Sequence, residues 1–203
     1  PGNEKKVYFR LPGEKGRIDS VDVINGKFEL KGTQPYNKII GVSFDKTNYT
    51  FFNDGTPIVL DSSSKIIEGS ELNKKLNACE LPLEETSKKA APLFDEYYAL
   101  RKDTTTVGKK RLAELEMQID GILEDYNNNI LAIIKQNTDN LIPAVYLPSI
   151  VYNLSYDELT PLMKEDAPYY NHPSMGKVKK IGLTQLFKWD YLWMVMVFLY
   201  PVK

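Results

Sequence analysis

The spacing of apolar residues changes its period partway along this 203-residue chain. From Lys6 to Gly69, short β-rich runs are separated by Gly, Pro, Asn-Gly and Asp-Gly, which is typical of antiparallel strands joined by tight turns. After Cys79, turn residues become sparse and apolar residues recur at every third or fourth position, as they do along one face of a helix. The sequence therefore predicts an α+β protein whose two parts meet near residues 78 to 84.

The first part is predicted to be a small antiparallel β-sandwich or barrel, because about seven short strands fall within about seventy residues. The candidate strands are Val7 to Leu11, Ile18 to Ile24, Lys27 to Lys31, Lys38 to Asp45, Tyr49 to Asn53, Pro57 to Leu60 and Lys65 to Glu68. The dipeptide Asn25-Gly26 predicts a hairpin with a primed turn. Alternation predicts that the following side chains face inward: Val7, Phe9, Phe28, Leu30, Ile40, Val42 and Phe44.

The second part is predicted to be a helical domain with a long helical hairpin. One amphipathic helix is expected from Val107 to Gln136, and its apolar stripe contains Leu112, Leu115, Ile119, Ile122, Tyr126 and Ile133. The expected partner helix runs from Leu93 to Lys102. Because proline lacks the amide hydrogen that a helix interior needs, Pro92 predicts that Glu84 to Ala91 forms a separate turn or a kinked extension.

Shorter helices are expected after this hairpin, at Leu141 to Asn153, Tyr156 to Glu165 and Ser174 to Gly182. Ser155 is a good N-cap for the second of these helices, and Glu158 completes a capping box. The predicted domains are a β-sandwich or barrel domain at residues 1–80 and a helical domain at residues 81–184. Residues 185–203 are set apart as an atypical hydrophobic tail.

The overall charge balance gives no reason to expect a polyanionic partner. Lysine and arginine number 26 against 27 aspartate and glutamate residues, so the formal net charge of −1 gives no global electrostatic reason to bind nucleic acid or an anionic membrane. The apolar run Tyr191 to Tyr200 has about half of the roughly 20 residues that span a bilayer. We therefore expect no nucleic-acid partner and no transmembrane segment.

Cys79 is the single cysteine, so the chain can form no internal disulfide and has neither a Cys-x-x-Cys redox pair nor a cysteine-based zinc site. No histidine neighbours it in the sequence, and we interpret it as a structural or incidental cysteine. His172 is the single histidine. We interpret it as a loop or cap residue, because a metal site or a Ser-His-Asp constellation needs partners that the sequence does not announce.

Other side chains that could carry chemistry occur in pairs or clusters. The acidic pairs Glu84-Glu85, Glu124-Asp125 and Asp157-Glu158 could divide acid and base roles as in glycosidases, but they fall in predicted helices and are interpreted as solvated faces or partners of the helix dipole. The basic clusters Lys109-Lys110-Arg111 and Lys177, Lys179, Lys180 could contact phosphate, but they lack interleaved aromatic residues and are interpreted as surface.

Tyrosine is abundant, and the pairs Tyr97-Tyr98 and Tyr169-Tyr170 could stack on a sugar or form a partner surface. Core and helix-packing roles are the interpretation that we adopt. In sum, we expect no catalytic, cofactor-binding or metal-binding residue, and no enzymatic activity from the chain as given.

Three segments carry a resemblance to a known group of proteins: Ile18 to Val21, Asn25 to Gly32 with Pro35 just after it, and Ile66 to Asn73. They resemble a domain of unknown function found at the start of envelope thioredoxin-like thiol:disulfide oxidoreductases of Gram-negative bacteria. Asn137 to Ala144 and Asp157 to Leu159 resemble the linker that leads to the redox domain in these proteins. The resemblance covers roughly residues 7 to 182.

The resemblance implies a protein exported to the periplasm or cell envelope, often with a lipoprotein anchor, and a C-terminal thioredoxin fold bearing Cys-x-x-Cys. Residue 1 is Pro rather than Met, which is compatible with removal of an export signal. The chain departs from the pattern by stopping before the redox fold. Its implied role is that of a non-catalytic N-terminal region that scaffolds or positions partner proteins or its own missing thioredoxin domain. A stand-alone envelope ligand- or protein-binding module and a homodimer formed through the long helix are the alternatives.

Residues 185–203 are hypothesised to be an out-of-frame tail. Leu186 to Val202 holds both tryptophans and two of the five methionines, with neither a helical nor a strand period. The codons of Trp193-Met194-Val195, read from the third base, encode Asp-Gly, a dipeptide that the resembled family would show at the start of its redox domain. A frameshift would thus have replaced that domain, and an ordinary buried terminal segment is the alternative.

Overall fold

The computed structural model describes residues 6–11, 19–25, 27–29, 31, 34–44, 47–61 and 66–182. The chain divides into two compact units, Pro1–Leu81 and Pro82–Lys203, and the boundary between them falls inside a helix. The first unit contains the strands and the second is helical, so the predicted α+β class is confirmed. The predicted tail at residues 185–203 lies outside the described residues.

The larger sheet of the first unit is antiparallel and has the strand order β2-β1-β3-β4. Its strands are β1 (Lys6–Arg10), β2 (Asp19–Asp22), β3 (Lys38–Phe44) and β4 (Thr47–Asn53). A second sheet pairs β5 (Val59–Asp61) with β6 (Ile66–Glu68). The strands lie close to their predicted positions, and β4 stands at one end of the larger sheet.

One face of the larger sheet is covered by an apolar cluster. Four of the side chains predicted to face inward, Val7, Phe9, Ile40 and Val42, are buried in it together with Leu11 and Tyr49. Phe28 is partly buried against this cluster, whereas the side chains of Leu30 and Phe44 lie outside the described part of the chain. The alternation of apolar and polar residues along the strands therefore predicted the described core residues correctly.

The predicted hairpin turn after β2 is present, but the strand expected after it is not continuous. Ile24 and Lys27 exchange backbone hydrogen bonds of 2.8 and 3.0 Å, and Asn25 has a φ of 51°, as a primed turn requires. Among the described residues of the predicted strand Lys27 to Lys31, only Lys27 takes part in a β-bridge. Among the described residues, the hairpin therefore consists of the turn and the single bridge between Ile24 and Lys27.

Helix α1 (Glu71–Leu100) corrects the prediction for the middle of the chain. It begins well before Cys79, because the Ser70 hydroxyl accepts a hydrogen bond from the Asn73 amide at 3.2 Å and caps the first turn. Pro82 and Pro92 both lie inside this helix, so residues 84 to 91 extend the helix and do not form a separate turn. Buried side chains recur every seven residues along one face: Leu76, Leu83 and Ala90. Their burial offsets the hydrogen bonds that the prolines cannot make.

Helix α2 (Thr106–Gln136) confirms the predicted long helix. The Thr105 side chain caps it by accepting from the Gly108 amide at 3.1 Å. Its buried stripe contains Leu115, Ile119, Ile130, Ile133 and Ile134. Across the short turn between the two helices, the Arg111 guanidinium contacts both carboxylate oxygens of Glu96, at 2.7 and 2.8 Å. The end of α1 and the start of α2 therefore form the expected helical hairpin.

The remaining helices are short. They are α3 (Pro143–Ile150), α4 (Tyr156–Leu159), the 3-10 turns Thr160–Leu162 and Pro173–Met175, and helical residues 176 to 182. The capping box predicted from Ser155 and Glu158 is present in both directions. No helix among the described residues combines the length and the apolar character needed to cross a membrane.

Candidate functional site

A connected group of polar side chains lies in the first unit, where α1 begins. The fully buried Asn73 accepts a hydrogen bond from the Phe52 amide at 2.8 Å and donates to the Phe52 carbonyl at 3.0 Å. Its amide nitrogen also donates to the Asp54 carboxylate at 3.1 Å. One side chain thus binds the backbone of β4 and the residue that follows this strand. Satisfying buried polar groups in this way stabilises the start of α1 against β4.

Asp54 accepts the remaining hydrogen bonds of this network. Its carboxylate accepts hydrogen bonds from the Ser70 hydroxyl, from the Thr56 hydroxyl at 2.5 Å and from the Thr56 amide at 3.1 Å. Burial alone would raise the pKa of Asp54, but the bonds from Ser70 and Thr56 outweigh it and hold the pKa below its ordinary value. The carboxylate is therefore ionised at neutral pH and serves as an acceptor, which makes it unsuitable as a general acid.

Glu80 lies on the face of α1 that also carries Asn73 and Leu76, two turns after Asn73 and one turn after Leu76. Burial raises the pKa of its carboxyl to about 7, although the hydroxyl of Thr50 on β4 donates a hydrogen bond that favours the charged form. A carboxyl with such a pKa exchanges its proton near neutral pH.

Cys79 is a free, partly buried cysteine on α1, next to Glu80 in the sequence. Burial raises the pKa of its thiol, and the negative charge of Glu80 raises this pKa further, while Lys75 lowers it. A raised pKa leaves little thiolate at neutral pH, and thiolate is the nucleophilic form. The structural or incidental interpretation of Cys79 agrees with this environment.

His172 caps a 3-10 turn, in agreement with its predicted role as a loop or cap residue. Its Nδ1 lies 2.8 Å from the Ser174 hydroxyl and accepts from the Ser174 amide at 3.2 Å. The Ser174 hydroxyl donates to the Ala144 carbonyl at 2.6 Å. Because this serine already holds a backbone carbonyl, the His-Ser pair fixes the loop on α3 and does not present an activated nucleophile.

The acidic pairs of the helical unit serve helix ends and surfaces. Glu84 forms an ion pair with Lys88 at 3.3 Å, one turn further along α1. Glu124 and Asp125 are exposed on α2. Glu158 closes the capping box of α4, and hydrogen bonds from the Ser155 amide and hydroxyl hold its pKa below the ordinary value. Each pair belongs to a single helix, and the interpretation as solvated faces and helix-end partners fits all three.

The basic clusters are distributed between two surfaces. Arg111 is engaged by Glu96 and by Glu114, whereas Lys109 and Lys110 are exposed at the start of α2. In the last helical segment, the ammonium of Lys177 lies 4.3 Å from the ring centre of Tyr152, and that of Lys179 lies 3.7 Å from that of Tyr170. Cation–π contacts thus connect this second cluster to aromatic rings that are distant in the sequence.

The tyrosine pairs divide between core and surface. Tyr169 is buried, and its hydroxyl donates to the Leu162 carbonyl at 2.8 Å. Tyr97 reaches Glu116 on α2 at 3.4 Å, which is a packing role within the hairpin. Tyr98 is 60% exposed, with Arg101 at 6.0 Å from its ring centre. The predicted core and packing roles hold for Tyr169 and Tyr97. Tyr98 is exposed, but its ring also packs against the rings of Phe94 and Tyr97, with centroid distances of 6.3 and 5.7 Å.

Sequence reasoning missed Asn73 and Glu80. Both act through contacts with β4, more than twenty residues earlier in the chain, so no local pattern announces them. The available signal was Ser70 at the N-cap position, followed by Leu72 and Leu76, but we expected the helical part to begin only after Cys79. Among the described residues, no group of three or more metal-ligating side chains could hold a metal ion.

The comparisons with known proteins support one identification, and it concerns the first unit. Residues 1–76 match a protein family described as Domain of unknown function (DUF4369), so a DUF4369 domain is found at the N-terminus of this chain. The matched region includes both sheets and the first turns of α1, with Asn73 and Leu76. Comparisons with curated proteins and with solved structures returned no match.

Proposed function

We propose that this chain is the non-catalytic N-terminal region of an exported thioredoxin-like thiol:disulfide oxidoreductase, with a positional role toward the redox domain or its protein partners. The observation that carries the proposal is the DUF4369 domain at residues 1–76. It occupies the part of the chain in which Ile18 to Val21, Asn25 to Gly32 and Ile66 to Asn73 resemble the start of such oxidoreductases.

The surroundings of the candidate chemical groups support a non-catalytic role. The single cysteine has a thiol pKa raised by burial, which disfavours the thiolate that disulfide exchange requires. Asp54, Glu158 and His172 each hold a helix end or a loop through bonds to nearby backbone and hydroxyl groups. Their polar atoms are thereby committed to local structure, and this favours a scaffold over an enzyme.

The nucleotide sequence of the gene through and beyond the codon for Lys203 tests the proposal first. We expect a second reading frame that encodes a thioredoxin-like domain with Cys-x-x-Cys directly downstream. Its absence would contradict both the redox parent and the out-of-frame interpretation of residues 185–203. A biochemical test measures the rate at which dithiothreitol reduces a disulfide-bonded peptide. Adding this chain should not increase that rate.

A stand-alone binding module in the cell envelope is the second candidate. The specific observation in its favour is that Tyr152, which is exposed, carries the Lys177 ammonium over its ring. Such a pair can receive a sugar or a peptide on the open part of the ring. If the gene holds no downstream redox frame, binding of oligosaccharides to the wild-type chain and to Tyr152→Ala would be compared, and loss of binding in the variant would favour this candidate.

A further inference from the structure

One end of the helical hairpin concentrates positive charge. We call residues 98 to 110 the hairpin tip, because they include the last residues of α1, the connecting turn and the first residues of α2. Four cationic side chains belong to it, Arg101, Lys102, Lys109 and Lys110, and all four residues are exposed. The tip thus has a strong local positive charge, although the whole chain has a formal net charge of −1.

The single carboxylate of the hairpin tip, that of Asp103, forms local hydrogen bonds. Asp103 accepts a hydrogen bond from the Thr105 amide at 2.8 Å, and this bond together with that from the Thr105 hydroxyl lowers the pKa of the carboxyl. It also lies directly against Gly108. In the part of the chain that the structure describes, no carboxylate forms an ion pair with any of the four cations. All four residues are therefore exposed without a carboxylate partner.

Two large apolar side chains are exposed among these cations. Val107, in the first turn of α2, is 80% exposed, and Tyr98, in the last turn of α1, is 60% exposed. Arg101 lies over the Tyr98 ring, and Val107 precedes Lys110 by three positions, so each apolar group shares a helix face with a cation. Exposed apolar side chains surrounded by lysine and arginine are typical of segments that rest in the headgroup region of a bilayer.

We propose that the hairpin tip binds the surface of an anionic lipid bilayer. Cations that form no ion pair suit a fluid array of phosphate headgroups, while Val107 and the ring of Tyr98 can enter the boundary between headgroups and acyl chains. A nucleic acid would require several rings that are free for base stacking, whereas the Tyr98 ring packs against those of Phe94 and Tyr97, which are only partly exposed. An acidic polypeptide could pair with the four cations of the tip, but it would offer no acyl-chain layer for the Val107 side chain to enter.

The test is co-sedimentation of the full chain with vesicles made of equal parts phosphatidylglycerol and phosphatidylcholine, compared with vesicles of phosphatidylcholine alone. We expect binding to the anionic vesicles that weakens as salt is added. Lys109→Gln combined with Lys110→Gln should weaken it roughly twenty-five-fold, at about fivefold for each charge. Val107→Ser should weaken it without changing its dependence on salt. The matched control is Lys88→Gln combined with Lys89→Gln, which removes the same charge from α1 outside the tip and should leave binding intact.

Three outcomes would overturn the proposal. The first is no binding to anionic vesicles by a wild-type chain whose circular dichroism shows it to be folded. The second is equal weakening by the tip and control variants, because binding would then follow net charge alone. The third is tip-dependent binding to polyglutamate or to a single-stranded oligonucleotide without binding to vesicles, which would assign the tip to an acidic macromolecule.

Discussion

The side-chain amide of Asn73 forms hydrogen bonds with both the N–H and the C=O of Phe52, at 2.8 and 3.0 Å. Phe52 belongs to β4, which stands at the end of the strand order. A neighbouring strand would supply the same pair of bonds to a residue of this edge. Helix α1 therefore completes part of the sheet with a side chain, and this limits the access of other chains to the edge.

Replacing Asn73 by Ala should destabilise the protein by about 3 kcal/mol, because the N–H and C=O of Phe52 lose a buried side chain that bonds both. Urea unfolding followed by circular dichroism would measure the change. The control is Lys74→Ala, at the next position of α1, where the side chain is exposed and the expected loss is below about 0.5 kcal/mol. Equal losses for the two variants would show that the Asn73 bonds contribute little.

Glu80 should make the protein less stable as the pH rises. Burial raises the pKa of its carboxyl from 4.5 to about 7, so between these values the folded chain holds a proton that the unfolded chain has released. The stabilisation is complete below pH 4.5 and is lost as the pH passes through about 7. Discounted for the partial exposure of the side chain, it amounts to about 2 kcal/mol.

Glu80→Gln should remove this component of the pH dependence, since glutamine keeps the size of the side chain and does not titrate. The measurement is the difference in unfolding free energy between variant and wild type, taken in urea at about pH 5 and about pH 8. We expect the variant to gain stability relative to the wild type at the higher pH. Glu85→Gln, at an exposed position of the same helix, should show no such gain. A wild-type slope that persists in Glu80→Gln would argue against burial of this carboxyl.

Gly108→Ala should destabilise the hairpin, because a Cβ atom at this position would overlap the side chain of Asp103. We expect a loss of about 2 kcal/mol, in spite of the better helix propensity of alanine. Thermal unfolding of the full chain would detect it. In a background of Asp103→Gly the obstacle is gone, and the same Gly108→Ala change should cost much less.

Gly121→Ala provides the comparison on the same helix. A Cβ at Gly121 would meet nothing within 4 Å, so alanine there should stabilise α2 by up to about 1 kcal/mol. Opposite signs for the two glycine substitutions would separate the contact with Asp103 from general helix propensity. A stabilising effect of both would mean that Asp103 moves away at little cost.

Cys79 should react slowly with dithionitrobenzoate at neutral pH. Burial and the neighbouring charge of Glu80 both raise the pKa of the thiol, and the reaction proceeds through the thiolate. We expect labelling several-fold slower than in urea, and faster labelling in Glu80→Gln than in the wild type above pH 7, where Glu80 is charged. Rapid labelling of the folded wild-type chain would place this thiol in the reactive class.

Local patterns predicted the elements whose signals are contained in short stretches of sequence. The turn at Asn25, the helix from Thr106 to Gln136 and the capping box of Ser155 and Glu158 depend on neighbours within a few positions. Alternation in β1 and β3 identified the inward side chains for the same reason. These features can be predicted because the backbone and its closest side chains determine them.

The predicted start of the first helix was wrong because a long-range contact outweighs a local rule there. Because Pro92 removes a helical hydrogen bond, local reasoning began the expected helix at Leu93 and treated Glu84 to Ala91 as a separate turn or a kinked extension. Burial of Leu83 and the bonds of Asn73 to β4 depend on tertiary structure that the period of the sequence does not encode. The roles of Asn73 and Glu80 were hidden for the same reason.

The position of Asn73 also bears on where this chain can be divided. The DUF4369 match ends at Leu76, six residues into α1, so a fragment cut there would keep Asn73 on little more than one and a half turns of helix. So short a helix does not persist in water without packing, and the fragment would lack Glu80 and its contact with Thr50. Without a stable α1, the edge of β4 would become available to another copy of the fragment. We therefore expect that a fragment able to fold by itself must extend beyond Leu76.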